Sequence, residues 1–284
     1  MLFLLSMIDL HCHSSFSDGE LSPHLLFNKA LNSKIRMLAL TDHDTIAGLS
    51  ALHQAAQYFD VMIINGIELS VRWKKYDIHI IGLRINPDEQ GLCELIKKQN
   101  EGRISRAQQI AERLEECGVD NAYQKACDLA GHERVGRSHF AQILIQDGRA
   151  RDFKEAFKRF LGQGRPAYVL SNWVDIEQAV ATITLAGGQA VIAHPLKYRL
   201  TRSKLHELIT TFKRAGGVGM EVISGAMTTA QGLEMAGLCN RFELLASTGS
   251  DYHGDGLSRI SLGQQQPLPV NCVPIWHQWK DLVL

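Results

Sequence analysis

Apolar residues along this chain fall into two patterns that alternate. Short runs rich in aliphatic and β-branched residues give way to longer stretches whose apolar positions recur every three or four residues. In the N-terminal part the runs 7–10, 36–40, 61–64 and 77–85 read as strands, with helices over about 23–32 and 45–58. Ser22-Pro23 supplies the first helix start, with serine as cap and proline in the first turn, where its missing N–H costs nothing. Further on, a helix over 175–186 leads into the strand 189–193. Helix 203–215 leads into strand 219–223, and helix 228–240 into strand 244–247. Repeated strand–helix units predict a parallel sheet with helices outside it, closed as a barrel.

Between the two halves the pattern changes. Residues 89–165 are almost wholly helical in periodicity and richer in charge, and the chain returns through Gly162-Gln163-Gly164-Arg165-Pro166. The expected organisation is a barrel built from 1–88 and 166–284 with a small helical insertion domain, 89–165, that caps the substrate. A length of 284 residues, 45% of them hydrophobic, suits one barrel with an insertion.

Composition then narrows the function classes. Lys+Arg and Asp+Glu both number 30, so no global field draws the chain to a long nucleic-acid duplex or an anionic membrane. An anionic ligand must be captured by a local site. The six cysteines lie far apart with no C-x-x-C pair, as reduced thiols of a cytoplasmic protein do. Residues 1–8, apolar except Ser6, lack a basic flank and run straight into Asp9, so they read as the first strand rather than a leader. No apolar run approaches a membrane span.

The twelve histidines change the picture most. His11 and His13 follow the first strand, with Asp18 just beyond. Asp42-His43-Asp44 follows the second, Glu68 the third, and His79 lies in the next. His194 ends the strand 189–193, and Asp251 and His253 follow 244–247. Barrels of parallel strands build their active sites at the strands' C-terminal ends. In extended chain, residues i and i+2 project to one face, so His11 and His13 can reach one ion while Cys12 points away. Asp251-Tyr252-His253 repeats that spacing. Clustering six histidines and three carboxylates without a cation is costly in desolvation and repulsion.

Nine ligands exceed the needs of one ion, so two or three are expected, with at least one bridging carboxylate, for which Glu68 and Asp251 are the candidates. Nitrogen and oxygen donors without thiolate favour Mn²⁺, Zn²⁺ or Fe²⁺, and Mn²⁺ is the expected cofactor. Such a cluster neutralises phosphate oxygens and acidifies a bridging water, chemistry that points to phosphoryl transfer to water. Glu68, Asp251 and His253 are the expected catalytic residues.

The segments Asp9-Leu10-His11-Cys12-His13-Ser14 with Ser17-Asp18-Gly19, Leu40-Thr41-Asp42-His43-Asp44-Thr45, Gly66-Ile67-Glu68, Ala193-His194-Pro195 and Gly249-Ser250-Asp251-Tyr252-His253 resemble the ordered motifs of the PHP (polymerase and histidinol phosphatase) superfamily. The resemblance implies a distorted (β/α)7 barrel with a trinuclear metal site. It places His11, His13, Glu68 and Asp251 on one ion, Glu68, His79 and His194 on a second, and Asp18, His43 and His253 on a third.

The insertion is similar to that of the stand-alone PHP phosphoesterases, through Val135-Gly136-Arg137-Ser138-His139-Phe140-Ala141, Ala156-Phe157-Lys158-Arg159-Phe160-Leu161-Gly162 and Arg165-Pro166-Ala167-Tyr168-Val169. That likeness implies hydrolysis of the 3'-phosphate of nucleoside 3',5'-bisphosphates and 5' to 3' trimming of short 5'-phosphorylated oligonucleotides. Arg137, Ser138, His139 and Lys197 are the expected substrate contacts, although Ser138 and Lys197 stand where relatives carry Pro and Arg. Ser138 reads as the cap of a helix from His139, which would bring free backbone N–H groups and the Arg137 guanidinium to one anion. Histidinol-phosphate phosphatase and a non-catalytic PHP-type module are the alternatives. Intact ligand positions disfavour the second. The oligomeric state is not legible.

Overall fold

The computed structural model describes residues 7–279; the apolar segment 1–6 lies outside the described residues. The chain begins β1 (Met7–Cys12), α1 (Pro23–Asn32), β2 (Ile35–Leu40), α2 (Leu49–Ala56), β3 (Met62–Trp73) and β4 (Tyr76–Leu83). Four helices follow: α3 (Gln90–Glu116), α4 (Ala122–Ala130), α5 (Arg137–Gln146) and α6 (Phe153–Ala156). The remainder is α7 (Ile176–Leu185), β5 (Gln189–Ile192), α8 (Arg202–Arg214), β6 (Gly219–Ser224), α9 (Thr229–Arg241) and β7 (Leu245–Gly249). The helix starts follow local chemistry. The side chains of Ser22, Asp175, Thr201 and Thr228 each accept a backbone N–H of the first turn of α1, α7, α8 and α9. At α9 Gln231 reaches back to the Thr228 amide, at 2.8 Å, completing a capping box.

The seven strands form one sheet in sequence order. Pairing is parallel from β1 to β3 and from β5 to β7, whereas β4 is antiparallel to both neighbours. The all-parallel sheet expected above is therefore corrected at one strand. The physical reason is connection length. Only Lys74 and Lys75 separate β3 from β4, and a parallel crossover needs a dozen residues or more. The run 61–64 is the start of a twelve-residue strand that continues through Glu68 to the turn.

The sheet nearly closes. At the top of β1 the Asp251 amide donates to the His11 carbonyl (2.8 Å), and the His13 amide to the Tyr252 carbonyl (2.9 Å). β7 reaches β1 this closely because Gly249 lacks a side chain: a Cβ there would lie 2.3 Å from Cβ of His11. The strands bury two apolar faces. One packs Leu10, Met37, Ala39, Ile81, Leu83 and Val191 together; the other sets Cys12, Leu38 and Leu40 against Leu26 and Phe27 of α1 and Leu52 of α2.

The chain divides into two compact units, Met1–Glu94 with Val174–Leu284, and Leu95–Trp173. The boundaries fall a few residues later than 89 and 165. Ala167 and Val169 of the returning segment join Leu114, Phe140 and Leu144 in the insertion's own core, and the guanidinium groups of Arg103 and Arg106 lie 5.0 and 5.5 Å from the Trp173 ring centre.

Gly249→Ala should cost about 1–3 kcal/mol of stability in urea denaturation, the usual penalty for forcing an extra carbon into a packed interior. A change below about 0.5 kcal/mol would mean that β1 and β7 part freely.

Candidate metal centre

Nine side chains from seven places in the barrel unit face one another. His11 lies at the end of β1, with His13 and Asp18 in the following loop. His43 follows β2, His194 follows β5, and Asp251 and His253 follow β7. Two positions differ from expectation. Glu68 lies in mid-β3 rather than after a strand, and His79 reaches the cluster from the reversed strand β4. The pairing of β1 with β2 shifts register between Asp9 and Cys12. Leu10 and Cys12, two residues apart, accordingly pack on opposite faces of the sheet. A bulge of this kind re-aims side chains beside a site. Cys12, as expected, points away from the cluster, its thiol on the Ala39 carbonyl at 3.2 Å.

The distances have the size of a coordination shell. Nε2 of His11 lies 3.1 Å from Nε2 of His13, 3.2 Å from Oε2 of Glu68 and 3.5 Å from Oδ1 of Asp251. Nε2 of His13 is 3.3 Å from the same Glu68 oxygen and 3.4 Å from the same Asp251 oxygen. Four donors around an ion at about 2.1 Å, tetrahedrally placed, stand about 3.4 Å apart. The other Glu68 oxygen meets Nδ1 of His79 at 2.9 Å and Nε2 of His194 at 2.8 Å. Asp18 faces His253 at 3.3 Å, His43 at 3.8 Å and Nδ1 of His13 at 4.0 Å. The ligand atoms fall into overlapping groups: His11, His13 and Glu68; His13, Asp18, His43 and His253; His43, Glu68 and His79; and His11, His194 and Asp251. These are not drawn quite as the resemblance draws them, since His13 offers one nitrogen to each of two groups.

Orphaned atoms test whether cations fit. Nδ1 of His13, of His43 and of His194, and Oε2 of Glu68, are buried without a hydrogen bond. Nδ1 of His43 approaches Oε2 of Glu68 to 3.0 Å, yet not in hydrogen-bond geometry. Lone pairs that converge while unsatisfied suit divalent ions. Burial drives His43, His194 and His253 below the ordinary histidine range, His194 to about 3, so these imidazoles are neutral and able to ligate. Burial also disfavours the charged form of Glu68, but His43, His11 and His79 outweigh it and hold the carboxyl well below its usual range. His11 behaves oppositely. Burial would lower it, yet Glu221 and Glu68 together push it up to about 10.

Glu221, in mid-β6, is the functional residue that sequence reasoning missed. Its Oε1 accepts from Nδ1 of His11 at 2.9 Å, and its Oε2 accepts the His194 amide at 2.5 Å. It thereby fixes the His11 tautomer with Nε2 turned to the cluster. The available signal was a carboxylate inside the otherwise apolar run Gly219-Met220-Glu221-Val222-Ile223, since a buried acid requires partners. Asp42 performs a similar task for the loop beyond β1, accepting from the Ser14 amide (2.7 Å) and the Ser14 and Ser17 hydroxyls (2.6 Å each). Three residues of the centre hold the left-handed backbone region: Asp44 (φ 50°), His194 (φ 26°) and Asp251 (φ 52°). Each amide is tied down, to the Glu68 carbonyl, to Glu221 and to the His11 carbonyl respectively.

The expected substrate contacts lie in both units. Lys197 is exposed in the barrel unit, and its ammonium pairs with Oδ2 of Asp251. In the insertion, Gly136 rather than Ser138 precedes the first turn of α5, so the cap is corrected. His139 is buried, and its Nδ1 accepts the Gly136 amide at 3.1 Å. The Arg137 guanidinium lies 5.8 Å from the centre of the Phe157 ring. On the barrel unit, His194, Asp251 and His253 border a cavity of about 700 Å³.

Known proteins place the chain. The PHP domain model matches residues 9–169. The chain belongs to the PHP family. This PHP protein is 41% identical to a 5'-3' exoribonuclease of Haemophilus influenzae over 95% of its length and 98% of that protein's. It is 38% identical to a 3',5'-nucleoside bisphosphate phosphatase of Chromobacterium violaceum, covering 99% of each. A solved structure from the latter organism, described as an amidohydrolase with bound sulfate and no metal, superposes with a TM-score of 0.93 at 38% identity. The match covers 97% of this chain and 96% of that one. Among the described residues, no helix of the PHP protein is long and apolar enough to cross a membrane.

Because Glu221 and Glu68 push His11 up to about 10 against its burial, an ion taking its Nε2 should displace a proton at neutral pH. Calorimetric titration with Mn²⁺ in buffers of different ionisation enthalpy should show about one proton released per chain at neutral pH, and affinity should rise as pH climbs toward 10. Binding that is independent of pH across that interval would contradict this assignment. Glu221→Gln should weaken Mn²⁺ binding by about 10–100-fold with an unchanged circular dichroism spectrum.

Proposed function

We propose that this chain is a metal-dependent phosphoesterase that removes the 3'-phosphate of nucleoside 3',5'-bisphosphates and trims short 5'-phosphorylated oligonucleotides from the 5' end. One observation carries the reading: relatives named for these two activities align over nearly the whole chain; the grouping of nine His, Asp and Glu side chains, five buried and four half-buried, supports it. Both reactions break the same bond. Water adds to phosphorus, the bond to O3' of the 5'-terminal nucleoside breaks, and O3' takes up a proton.

The cofactor we propose is two to three divalent ions, Mn²⁺ first, held by His11, His13, Asp18, His43, Glu68, His79, His194, Asp251 and His253. When bound they supply Lewis-acid charge to the phosphoryl oxygens and an acidified water. The chain's own groups prepare the site. Glu221 holds His11 in its ligating tautomer. Nδ1 of His253 donates to the Asp251 carbonyl at 3.0 Å, which leaves Nε2 turned toward Asp18. We assign catalytic roles to Glu68, Asp251 and His253, and substrate contacts to Arg137, Ser138 and His139 of the insertion and to Lys197 of the barrel unit. Six free thiols support a reducing, cytoplasmic compartment.

With Mn²⁺ present, phosphate release from adenosine 3',5'-bisphosphate should exceed release from histidinol phosphate by roughly 100-fold or more in kcat/KM. The reverse order would replace this reading with histidinol-phosphate hydrolysis. Arg137→Ala should lower kcat/KM on the bisphosphate by about 10–100-fold, the loss of a charged hydrogen bond, and leave 3'-AMP almost unchanged. Equal losses on both would move Arg137 to the reacting phosphate or to folding.

A further inference from the structure

The two substrates differ on one side of the reacting phosphorus. In a bisphosphate the phosphoryl group ends there, in oxygens that carry nothing further. In an oligonucleotide one of those oxygens is O5' of the next nucleotide, and the remaining strand hangs from it. A site that accepts both therefore needs room on the far side of the phosphoryl group, and the barrel unit provides it. The cavity of about 700 Å³ is bordered at its buried side by His194, Asp251 and His253, and its rim carries exposed Lys197, Arg199 and Arg259. That volume lies within the range of sites for small organic ligands and is far more than one phosphate fills.

Charge and surface chemistry suit a nucleic-acid strand. The carboxylates bordering the cavity are Glu221 and Asp251; the first is held by His11 and the His194 amide, the second by Lys197. Among the described residues neither Arg199 nor Arg259 has an ion-pair partner, whereas Arg36, Arg72, Arg151 and Arg159 all do. Two unpartnered guanidinium groups at the mouth of a cavity that begins at the reacting centre are placed for phosphodiester oxygens. Met227, Met235 and Ile260 add apolar surface, and no Phe, Tyr or Trp side chain lines the cavity.

We propose that this cavity is the channel for the strand downstream of the scissile bond, with Arg199 and Arg259 gripping its phosphates. The inference rests on the exonuclease half of the function proposed above. The test compares wild-type protein with the Arg199→Ala/Arg259→Ala double variant, in Mn²⁺, on adenosine 3',5'-bisphosphate and on a 5'-phosphorylated pentanucleotide. The double variant should hydrolyse the bisphosphate within about twofold of wild type and lose roughly 10–100-fold in kcat/KM on the pentanucleotide. A second readout does not depend on turnover. Anisotropy of a 3'-fluorescein pentanucleotide with phosphorothioate linkages, bound to metal-free protein, should show weaker affinity in the variant. The slope of log K against log salt should flatten by roughly 1.4, from two contacts at about 0.7 each. Arg199→Lys/Arg259→Lys should retain most of that slope. Equal losses on both substrates would overturn the proposal and make the cavity the seat of the mononucleotide. Unchanged pentanucleotide cleavage and binding would overturn it as well. A wild-type protein that hydrolyses the bisphosphate but leaves the pentanucleotide intact would instead remove the exonuclease reading, and the channel with it.

Discussion

The carboxylate of Glu68 is fully buried, and its two oxygens between them meet five imidazoles: His79 and His194 on one side, His11, His13 and His43 on the other. That contact is the constraint on which the rest of the barrel unit depends. An acid so placed is stable only if the groups around it supply positive charge or donated protons. Against its burial, Glu221 and Glu68 together raise His11, so that imidazole can supply a proton there. Divalent ions would serve better, because each can engage several of the converging lone pairs at once.

Holding six imidazoles in one buried space requires support from behind. Glu221 braces the His11 imidazole and the His194 backbone amide, and Asp42 binds the loop that carries Asp18 through three hydrogen bonds. The backbone shares in this. His194 and Asp251 both leave their strands with positive φ, a conformation that costs a non-glycine residue on the order of 1–3 kcal/mol. Each amide then donates to a neighbouring strand or its side chain. Gly249 completes the arrangement by letting β7 approach β1 closely enough for those bonds to form. Strain here is the consequence of turning a ligand inward immediately after a strand ends.

Much of this was legible in the sequence. Histidines and acids at strand ends stand out against apolar runs, and the two-residue spacing of His11 with His13 and of Asp251 with His253 states a geometry by itself. The remainder depends on contacts distant in the chain. β4 reverses because a two-residue turn precludes a crossover, but the run 61–64 gave no sign that the strand would continue to Trp73. Glu221 looks like an anomaly in an apolar strand until His11, more than two hundred residues away, is placed beside it. The cap of α5 was misassigned because serine is the better capping residue by type, whereas the turn geometry selected Gly136.

Electrostatics joins the site to the neutral composition of the whole chain. A protein with equal numbers of acidic and basic side chains exerts no broad attraction on a phosphorylated ligand. Within the centre, Asp18, Glu68 and Asp251, with Glu221 behind His11, would face two or three divalent ions, and the balance there would run from neutral to net positive. The anion-binding charge is then concentrated where the phosphoryl group reacts, in a buried space where screening by salt is weak. Lys197 stands at the edge of that charge, its ammonium paired with Asp251. An ion held by Asp251 would compete with Lys197 for that carboxylate and would supply positive charge beside the lysine, where a phosphate could meet both. Cofactor binding and capture of an anionic substrate would thus draw on the same local charge.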